Sequence, residues 1–506
     1  MIKRRDLLKL GAGVGFSLTA GSVVAQSRTE ASVDYHQTYD TVIVGSGLAG
    51  LSAAIEAAVA NKRVLVIEKM PAIGGNSAIN GGVMAVANHP LQKKNNIVDS
   101  VELMLNDMLV AGEGLGDRKL VEMVARESYA SYQFAIESGA EFSDVLLHHG
   151  GHSVPRLLKT KHSVGGDITF PLYQRALKAG VDFAKKTNLR QILTNESGAV
   201  EGIVIESGYD YRNKQYNEVS NVQITKALII ASGGFANDVA FRMVQQPRID
   251  HKFPSTNQPG GSADALRCML DLGAWPVQLS FVQMGPWTIA NEKGFGHTPF
   301  NGVGAFASGL TIDRHSGRRF FNEMGNRKQR ADAIMTRVDE KGNPRFPISF
   351  AAQSAVDAYP DAYYILDSAL HHGVVKRFET LQAMADFYQL PFVELQDEVQ
   401  KFNGFIDQKN DKNFGRVNIA SVPKLLTGPY YACELWPKVH YTMGGVKINE
   451  FTQVINVKTG QAIPKLYAAG EVTGGIHGAT RLGGCAIAEA ITTGRMAGKQ
   501  ACKVNS

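Results

Sequence analysis

The segment from Tyr39 to Met70 constrains the fold of this chain more than any other part of its sequence. A β-branched run predicts a first buried strand, an alanine-rich run predicts a helix, and the apolar residues Val64–Ile67 predict a second strand. The turn between the first strand and the helix reads G-x-G-x-x-G, and Glu68 ends the second strand. This arrangement is typical of a βαβ unit that binds a dinucleotide.

The three glycines of this turn, Gly45, Gly47 and Gly50, have distinct physical roles in such a unit. The first permits a tight turn, the second lets a pyrophosphate approach the backbone, and the third lets the helix pack closely on the strand. The N-terminus of the helix then faces the phosphates, and the carboxylate of Glu68 can accept hydrogen bonds from a ribose. A glycine-rich turn without a ligand is the alternative, but the complete unit favours a bound dinucleotide.

The first 25 residues are typical of an export signal. Arg4 and Arg5 precede a short apolar stretch that contains several glycines and ends at Ala25. This pattern resembles a twin-arginine (Tat) signal, so we expect residues 1–25 to be removed and the folded protein to be exported to the periplasm. A membrane anchor is the alternative, but the stretch is short and broken by glycine compared with the roughly 20 apolar residues that a span requires.

Charge and cysteine usage exclude several classes of protein. The net charge is +6, and no basic block with interleaved aromatic residues indicates a nucleic-acid partner. The cysteines form no C-x-x-C, C-x-x-C-H or zinc-binding spacing, so we expect free thiols rather than an attached haem, an iron–sulfur cluster or a bound metal. These cysteines are Cys268, Cys433, Cys485 and Cys502.

The residue composition of the remaining sequence changes at two places. Strand and helix patterns alternate up to about residue 279, and among them helices are predicted over Asp117–Ser138 and Phe170–Asn188. Aromatic residues, proline and glycine then cluster, and glycine-rich motifs return near His440 before a last predicted helix over Ala488–Lys499. We therefore predict an α/β fold. A Rossmann-like FAD-binding domain would consist of residues 30–279 and 439–506, with an inserted α+β capping domain over residues 280–438.

Six motifs carry a family resemblance that extends over nearly the whole mature chain. They are VIVGSGLAGLSAA, GGNSAINGG, ASGGF, RRFFNE, HYTMGG and LYAAGEVTGGIHGATRLGG. Together they resemble the flavoprotein of fumarate reductase and succinate dehydrogenase, and most of all the soluble periplasmic, flavocytochrome c-type reductases of fumarate, urocanate or methacrylate. The resemblance implies FAD and two-electron chemistry at a C=C bond beside a carboxylate.

The resemblance also implies which residues hold the cofactor. Membrane-bound members attach FAD to a histidine in the second glycine-rich region, but residues 74–82 contain no histidine, so the resemblance implies non-covalent FAD. The residues expected to line FAD are Gly45, Gly47, Gly50, Glu68, Asn76, Ser77, Gly81, Gly82, Ala231, Asp264, Tyr441, Glu471, Ala486 and Ile487.

Four further residues match the substrate site of the family. His440 and Arg481 match the clamp for a substrate carboxylate, and Gly484 is expected beside them. Arg327, which follows RRFFNE, matches the arginine that acts as proton donor. Because a guanidinium has a pKa above about 12, its loss of a proton must be transient and a relay must return the proton. A solvated basic face is the alternative for Arg327, since other arginines lie near it in sequence.

The sequence departs from the fumarate pattern close to this arginine. Residues 301–310, ahead of RRFFNE, contain neither the acid nor the second arginine of the family's relay, and Gly285 replaces the histidine that binds a second carboxylate. We therefore predict a 2-enoate with an apolar or aromatic remainder near Trp287, Phe300 or Phe306. Acrylate, methacrylate, cinnamate or urocanate fits this pattern better than fumarate does.

The predicted function is therefore a periplasmic enoate reductase of anaerobic respiration. Because the sequence contains no haem-attachment motif, its electrons would come from an external donor such as a separate cytochrome c. Two alternatives stay open. One is a flavin dehydrogenase or oxidase that works in the oxidative direction, of the ketosteroid dehydrogenase or aspartate oxidase type, and the other is a non-catalytic electron-transfer flavoprotein.

Overall fold

The structure is a computed structural model that describes residues 33–60, 62–297, 300, 306–358 and 362–503. The export signal predicted over residues 1–25 lies outside these residues. From Tyr35 onward the chain forms one compact unit.

The strands of this unit are given in chain order. They are β1 (Gln37–Val44), β2 (Val64–Glu68), β3 (Val83–Ala85), β4 (Phe142–Leu147), β5 (Leu157–Thr160), β6 (Asp182–Lys185), β7 (Thr187–Thr194), β8 (Val200–Ser207), β9 (Glu218–Ile230), β10 (Pro276–Val277), β11 (Val282–Gly285), β12 (Leu310–Ile312), β13 (Ile348–Ala352), β14 (Lys376–Phe378), β15 (Tyr430–Glu434), β16 (Lys438–Thr442), β17 (Gly445–Val446), β18 (Gln453–Ile455) and β19 (Ala462–Ala468).

The helices follow the same convention. They are α1 (Leu48–Val59), α2 (Gly75–Ile79), α3 (Pro90–Lys94), α4 (Val101–Ala111), α5 (Arg118–Glu137), α6 (Gly166–Lys178), α7 (Val239–Gln245), α8 (Asp264–Asp271), α9 (Phe306–Ser308), α10 (Arg327–Met335), α11 (Gln353–Asp357), α12 (Ala362–His371), α13 (Leu381–Tyr388), α14 (Phe392–Asp407) and α15 (Cys485–Ala501).

A central sheet has the strand order β18-β19-β9-β1-β2-β6, and β8 and β7 continue it from β9. The strands from β19 to β6 in this order are parallel, as the βαβ pattern predicts. Val42 and Ile43 of β1 are fully buried because helices α1 and α15 pack beside the sheet. The predicted α/β fold is confirmed.

A second sheet lies within residues 306–434. It is antiparallel, has the order β12-β13-β15-β14, and packs with α13 and α14 around its own apolar core, which includes Phe350 and Phe402. Strands β11 and β16 pair with each other and bring the two ends of this segment together. This arrangement supports an inserted domain, and the boundaries at residues 279/280 and 438/439 stay a prediction.

The helix predicted over Phe170–Asn188 is wrong in its extent. Helix α6 begins at Gly166 and ends at Lys178, so that Pro171 lies inside the helix rather than at its start. Gly180 then adopts φ +82°, a left-handed conformation that ends the helix, and the following residues pair with β2 as strand β6. Sheet pairing, which a local pattern does not show, decides the conformation of this segment.

Other expectations agree with the structure. Asp117 caps α5 by accepting hydrogen bonds from the backbone N–H groups of Lys119 and Leu120. All four cysteines are free, as predicted. Within the described ranges, no helix is both long enough and apolar enough to cross a membrane.

Candidate active site

A cavity of about 760 Å³ lies at the carboxyl ends of β1, β2 and β9, where ligands bind in open α/β sheets. Nearly all of the site residues predicted from the sequence line it. Those on its wall are Gly45, Gly47, Glu68, Asn76, Ser77, Gly81, Ala231, Asp264, Arg327, His440, Tyr441, Glu471, Arg481, Gly484, Ala486 and Ile487.

Gly50 and Gly82 were expected to line the cofactor, but both lie behind the wall. A Cβ placed on Gly50 would lie 1.9 Å from the carbonyl oxygen of Gly45, so this glycine is required for packing of α1 on β1. Gly82 has φ +61°, and a Cβ there would lie 2.1 Å from Oγ1 of Thr160. Close packing, rather than contact with a ligand, therefore accounts for both glycines.

The turn after β1 places the start of α1 at the cavity. Gly45 has φ +104°, and α1 begins after Gly47 without a capping side chain. The hydroxyl of Ser77 accepts a hydrogen bond of 3.0 Å from the backbone N–H of Leu48. The positive end of this 12-residue helix therefore faces the cavity and suits a pyrophosphate.

Two carboxylates mark the end of the cavity beside β2. Glu68 accepts hydrogen bonds from the hydroxyl of Ser46 at 2.6 Å and from the backbone N–H of Met70 at 2.9 Å. Asp264 forms an ion pair of 3.1 Å with Lys69. Burial opposes ionisation of Asp264, but the charges of Lys69 and Arg267 and the hydrogen bonds from Ser262 and Lys69 together outweigh it and lower the pKa of the carboxyl. Both acids are therefore placed as acceptors for sugar hydroxyl groups.

The wall between these ends is formed largely by bare backbone. Gly233 has φ +76°, and a Cβ there would meet no described atom within 4 Å. A Cβ on Gly75 or Gly81 would likewise have a nearest described neighbour at 3.9 or 4.0 Å. Open space against glycine backbone suits a flat ring and a diphosphate, so the residues present fit FAD.

Helix α15 points its N-terminus at the opposite end of the cavity. Gly484 precedes the helix with φ +76° and without a side-chain cap, and Ala486 and Ile487 lie on the wall. A Cβ on Gly484 would lie 2.7 Å from the backbone nitrogen of Ala85, so only glycine fits. The positive end of this 17-residue helix can stabilise negative charge on a ligand.

Arg481 is buried beside this helix, and its guanidinium has N–H groups without a partner among the described residues. Its Nη1 donates to the carbonyl oxygen of Leu482 at 2.8 Å, and its Cζ lies 4.5 Å from the ring centre of Tyr441. Its Nε is buried and has no acceptor among the described residues. A buried N–H without a partner is costly, and the guanidinium as a whole lies on the cavity wall, where an anionic ligand can accept hydrogen bonds from it.

His440 lies on the same wall and is neutral. A hydrogen bond of 2.8 Å joins its Nδ1 to the hydroxyl of Thr256, and its ring meets the ring of Trp287 edge to face. Burial, followed by the charges of Arg327 and Arg481, holds the pKa of His440 well below its usual value. A neutral imidazole between two guanidinium groups can donate one N–H to a carboxylate without adding charge.

Arg327 is the first residue of α10, which Asn326 caps. Its Nη1 donates to Oε1 of Gln283 at 3.1 Å, and its Cζ lies 4.3 Å from the ring centre of Trp287. Burial, followed by the charges of Arg481 and Arg330, holds the pKa of Arg327 well below its usual value. The alternative of a solvated basic face does not match this position on the cavity wall.

Gln283 is a site residue that sequence analysis missed. Besides accepting from Arg327, its amide donates to Oγ1 of Thr480 at 2.7 Å and to the carbonyl oxygen of Arg481 at 2.8 Å. It lies on β11 opposite Tyr441 of β16. This buried amide therefore fixes one arginine relative to the other, and only the long-range pairing of two short strands places it there.

Three further cavity residues were also missed: His148, His149 and Arg330. The two histidines come just before Gly150-Gly151, and such a glycine pair could have indicated a close backbone approach. Arg330 follows Arg327 by one helical turn, and burial lowers its pKa to about 10. The part of the cavity near α10 is therefore more basic than the sequence motifs predicted.

The three aromatic residues expected near the substrate differ in position. Trp287 lies on the cavity wall. Phe300 is buried in an apolar cluster with Ile289 and Phe321 and does not line the cavity. The side chain of Phe306 lies outside the described part of the chain, as do residues 301–305.

The fold and the cavity define a flavoprotein of the dinucleotide-binding α/β class. A family model described as an FAD binding domain matches residues 40–487. The chain belongs to this family and is an FAD-dependent oxidoreductase, so the predicted family and the predicted FAD cofactor are confirmed.

Similar proteins align with nearly the whole chain. The acrylate reductase flavoprotein subunit of Shewanella woodyi is 36% identical over 501 residues, which are 99% of this chain and 98% of that protein. The fumarate reductase (cytochrome) of Shewanella frigidimarina is 34% identical over 471 residues, with coverage of 92% and 78%. The open conformation of a flavocytochrome c3 fumarate reductase matches with a TM-score of 0.73 at 27% identity, with coverage of 93% and 79%.

Proposed function

We propose that this protein is a periplasmic, FAD-dependent reductase of the C=C bond of a 2-enoate that carries one carboxylate. The observation that carries this proposal is the guanidinium of Arg481 on the cavity wall beside Arg327 and His440. An arginine can bind a carboxylate with two parallel hydrogen bonds, which fixes the orientation of the substrate as well as its position. The names of the relatives, reductases of acrylate and of fumarate, support the same chemistry.

The charges around the cavity suit the reduction of an enoate. When bound, FAD supplies a hydride to the β-carbon, and negative charge then develops toward the substrate carboxylate. The guanidinium of Arg481 and the N-terminus of α15 are fixed where they can stabilise that charge. The neutral His440 adds a hydrogen bond to the same carboxylate.

Arg327 is proposed to donate the proton that the α-carbon takes up. A guanidinium in water holds its proton too strongly for this role, but burial and two neighbouring guanidinium groups weaken its hold here. Gln283 orients the group by its hydrogen bond to Nη1, and the ring of Trp287 covers one face. The side chain of Arg327 is therefore held in one orientation and gives up its proton more easily than a guanidinium in water, and a general acid requires both.

The surroundings of Gly285 favour a substrate without a second carboxylate. A Cβ at this glycine would make ordinary contacts, 3.4 Å from Cγ2 of Thr288 and 3.6 Å from Cβ of His440, so the position has room for a Cβ but supplies no side chain to bind a carboxylate. Trp287 presents an apolar surface at this end of the cavity. Acrylate and methacrylate match a small apolar remainder, and cinnamate or urocanate would be larger substrates of the same class.

The location and the electron donor are part of the proposal. Export by the Tat pathway is suggested by Arg4 and Arg5 and by the apolar stretch that follows them. The absence of C-x-x-C-H from the sequence suggests a separate electron donor, such as a cytochrome c.

The proposal is tested with the purified flavoprotein and reduced methyl viologen as an artificial donor. Viologen oxidation is followed after addition of acrylate, methacrylate, cinnamate, urocanate or fumarate. Turnover of at least one monocarboxylate supports the proposal. No turnover with any of them, together with reduction of the flavin by saturated ketones or acids, would instead support a dehydrogenase.

A further inference from the structure

We propose that His149 returns the proton to Arg327 after each turnover, an assignment that rests on the proposed enoate reduction. Every reduced substrate leaves Arg327 as a neutral guanidine, and one proton must come back before the next turnover. Residues 301–310, where the family has its relay, contain no acid and no arginine. The proton must therefore arrive by another route in this chain.

The charged groups close to Arg327 limit which residue could return its proton. Arg481 and Arg330 face it and are themselves guanidinium groups. Across the described part of the chain, no carboxylate forms an ion pair with Arg327. His440 belongs to the proposed carboxylate clamp, so His148 and His149 are the histidines of the cavity wall that are left for this role.

Packing holds His149 next to the start of α10. A Cβ on Gly150 would lie 2.4 Å from the carbonyl oxygen of Gly325, and one on Gly151 would lie 3.3 Å from Cβ of Asn326. The loop is thus pressed against the turn that leads directly into Arg327. The imidazole itself packs on the backbone of Gly483, where a Cβ would lie 2.8 Å from Nδ1 of His149.

The electrostatic surroundings of His149 suit a proton carrier that is neutral between turnovers. Burial, followed by the charges of Arg327, His152, Arg330 and His148, lowers the pKa of His149 to about 3. A neutral ring does not repel the charged donor. When Arg327 has given up its proton, the largest of these charges disappears, so the pKa of His149 rises while the neutral guanidine is a strong base. The ring can then accept a proton at one nitrogen as it releases one from the other.

The part of the cavity wall that contains His149 continues toward solvent. His148 lines the cavity beside His149, and its Nε2 lies 2.7 Å from the carbonyl oxygen of His152. Val145 of β4 also lines the cavity and is 53% exposed. One proton enters from water on this side for each C=C bond that is reduced, and no further electrons are involved.

The test compares the first turnover with later turnovers in a His149→Gln holoenzyme. The first turnover uses the proton already on Arg327, so reoxidation of the reduced flavin by acrylate should stay within about twofold of wild type in stopped flow. Steady-state kcat should fall by about 100-fold, a loss typical of an acid–base residue. The matched control is His162→Gln, because His162 is an exposed histidine that bonds Asp167 and lies off the cavity.

A second variant covers failure of the first to fold or to retain FAD. In His149→Ala, added imidazole should restore part of the steady-state rate without changing the first turnover. Unchanged steady-state kcat in His149→Gln, or an equal loss in the first turnover and in the steady state, would overturn the relay. A wild-type enzyme that turns over no enoate would instead contradict the proposed function itself.

Discussion

Arg481 illustrates how a single buried side chain can specify a ligand. Its guanidinium is stacked on Tyr441 and anchored to the carbonyl of Leu482, and N–H groups are left without a partner among the described residues. An unpaired buried donor costs about 1–3 kcal/mol, which a bound acceptor would recover. A planar carboxylate matches the geometry of the fork, whereas the ammonium of lysine is a point charge.

The variant Arg481→Lys should therefore lose far more activity than a charge count suggests. We expect kcat/KM for the preferred enoate to fall by about 100-fold, since the second hydrogen bond and the orientation of the substrate are lost. Steady-state kinetics with reduced methyl viologen measures this. Arg126→Lys, on the exposed face of α5, is the control and should behave as wild type. Equal kinetics for the two variants would contradict the carboxylate clamp.

Glu471 offers a test based on pH. Burial raises the pKa of its carboxyl from 4.5 to about 7, although the backbone N–H of Thr442 donates to it at 2.9 Å. Because the folded state prefers the protonated form, the stability of the flavin-free protein should fall as the pH rises from about 4.5 to about 7. Glu471→Gln keeps the acceptor for Thr442 and removes this titration.

Urea unfolding of both flavin-free proteins across this pH range measures the effect. Relative to the variant, the wild type should lose about 2–3 kcal/mol in its free energy of unfolding between these pH values. Parallel curves for the two proteins would show that Glu471 is ionised in the fold at neutral pH.

At the scale of elements, the N-terminus of α15 ties the substrate end of the cavity to β3. Gly484 has φ +76°, and a Cβ there would collide with the backbone nitrogen of Ala85 and with Cδ2 of Leu157, both at 2.7 Å. The start of the helix is therefore positioned by contacts that only glycine permits.

The variant Gly484→Ala should displace this helix start. We expect a loss of about 2–4 kcal/mol in the free energy of unfolding and weaker retention of FAD, since strain and a steric clash add. Gly460→Ala is the control, because Gly460 has φ +68° but no described atom within 4 Å of its Cβ position. It should lose only about 1–2 kcal/mol. Equal losses would show that the clash contributes nothing. Denaturant unfolding and flavin absorbance are the measurements.

Elements with a strong local pattern could be predicted from the sequence, and elements set by distant partners could not. The order of elements in the βαβ unit and the extent of α5, within one residue at each end, were predicted because their periodicity and caps are local. The end of α6 was missed because pairing of β6 with β2 decides it. Gln283 was missed because it reaches the site only through the pairing of β11 with β16, which are far apart in sequence.

At the scale of the whole molecule, the glycine-rich motifs and the segment that contains α10 are remote in sequence but line the same cavity. Motifs predicted most of the cofactor side, where glycines and acids occur at fixed spacings. The basic side near α10, with His149 and Arg330, has no motif and depends on how the capping segment packs against residues 148–151. The predicted Tat signal lies outside the described residues and stays a prediction.

Whether FAD is bound covalently or non-covalently also depends on the whole cavity. No histidine lies in residues 74–82, so we expect the many separate contacts of the wall to hold FAD without a covalent bond. Precipitation of the holoenzyme with acid should release all of the flavin into the supernatant. Flavin that remains with the pellet, measured by absorbance, would contradict non-covalent binding.

The central claim is that this site binds one carboxylate and reduces the adjacent C=C bond. The most direct measurement is a competition in which the reduced holoenzyme receives equal concentrations of acrylate and fumarate, and propionate and succinate are quantified. The account predicts that propionate predominates, because Arg481 and His440 form one clamp while Gly285 and Trp287 provide no second one. Predominance of succinate would contradict it and would show that the basic groups near α10 bind a second carboxylate.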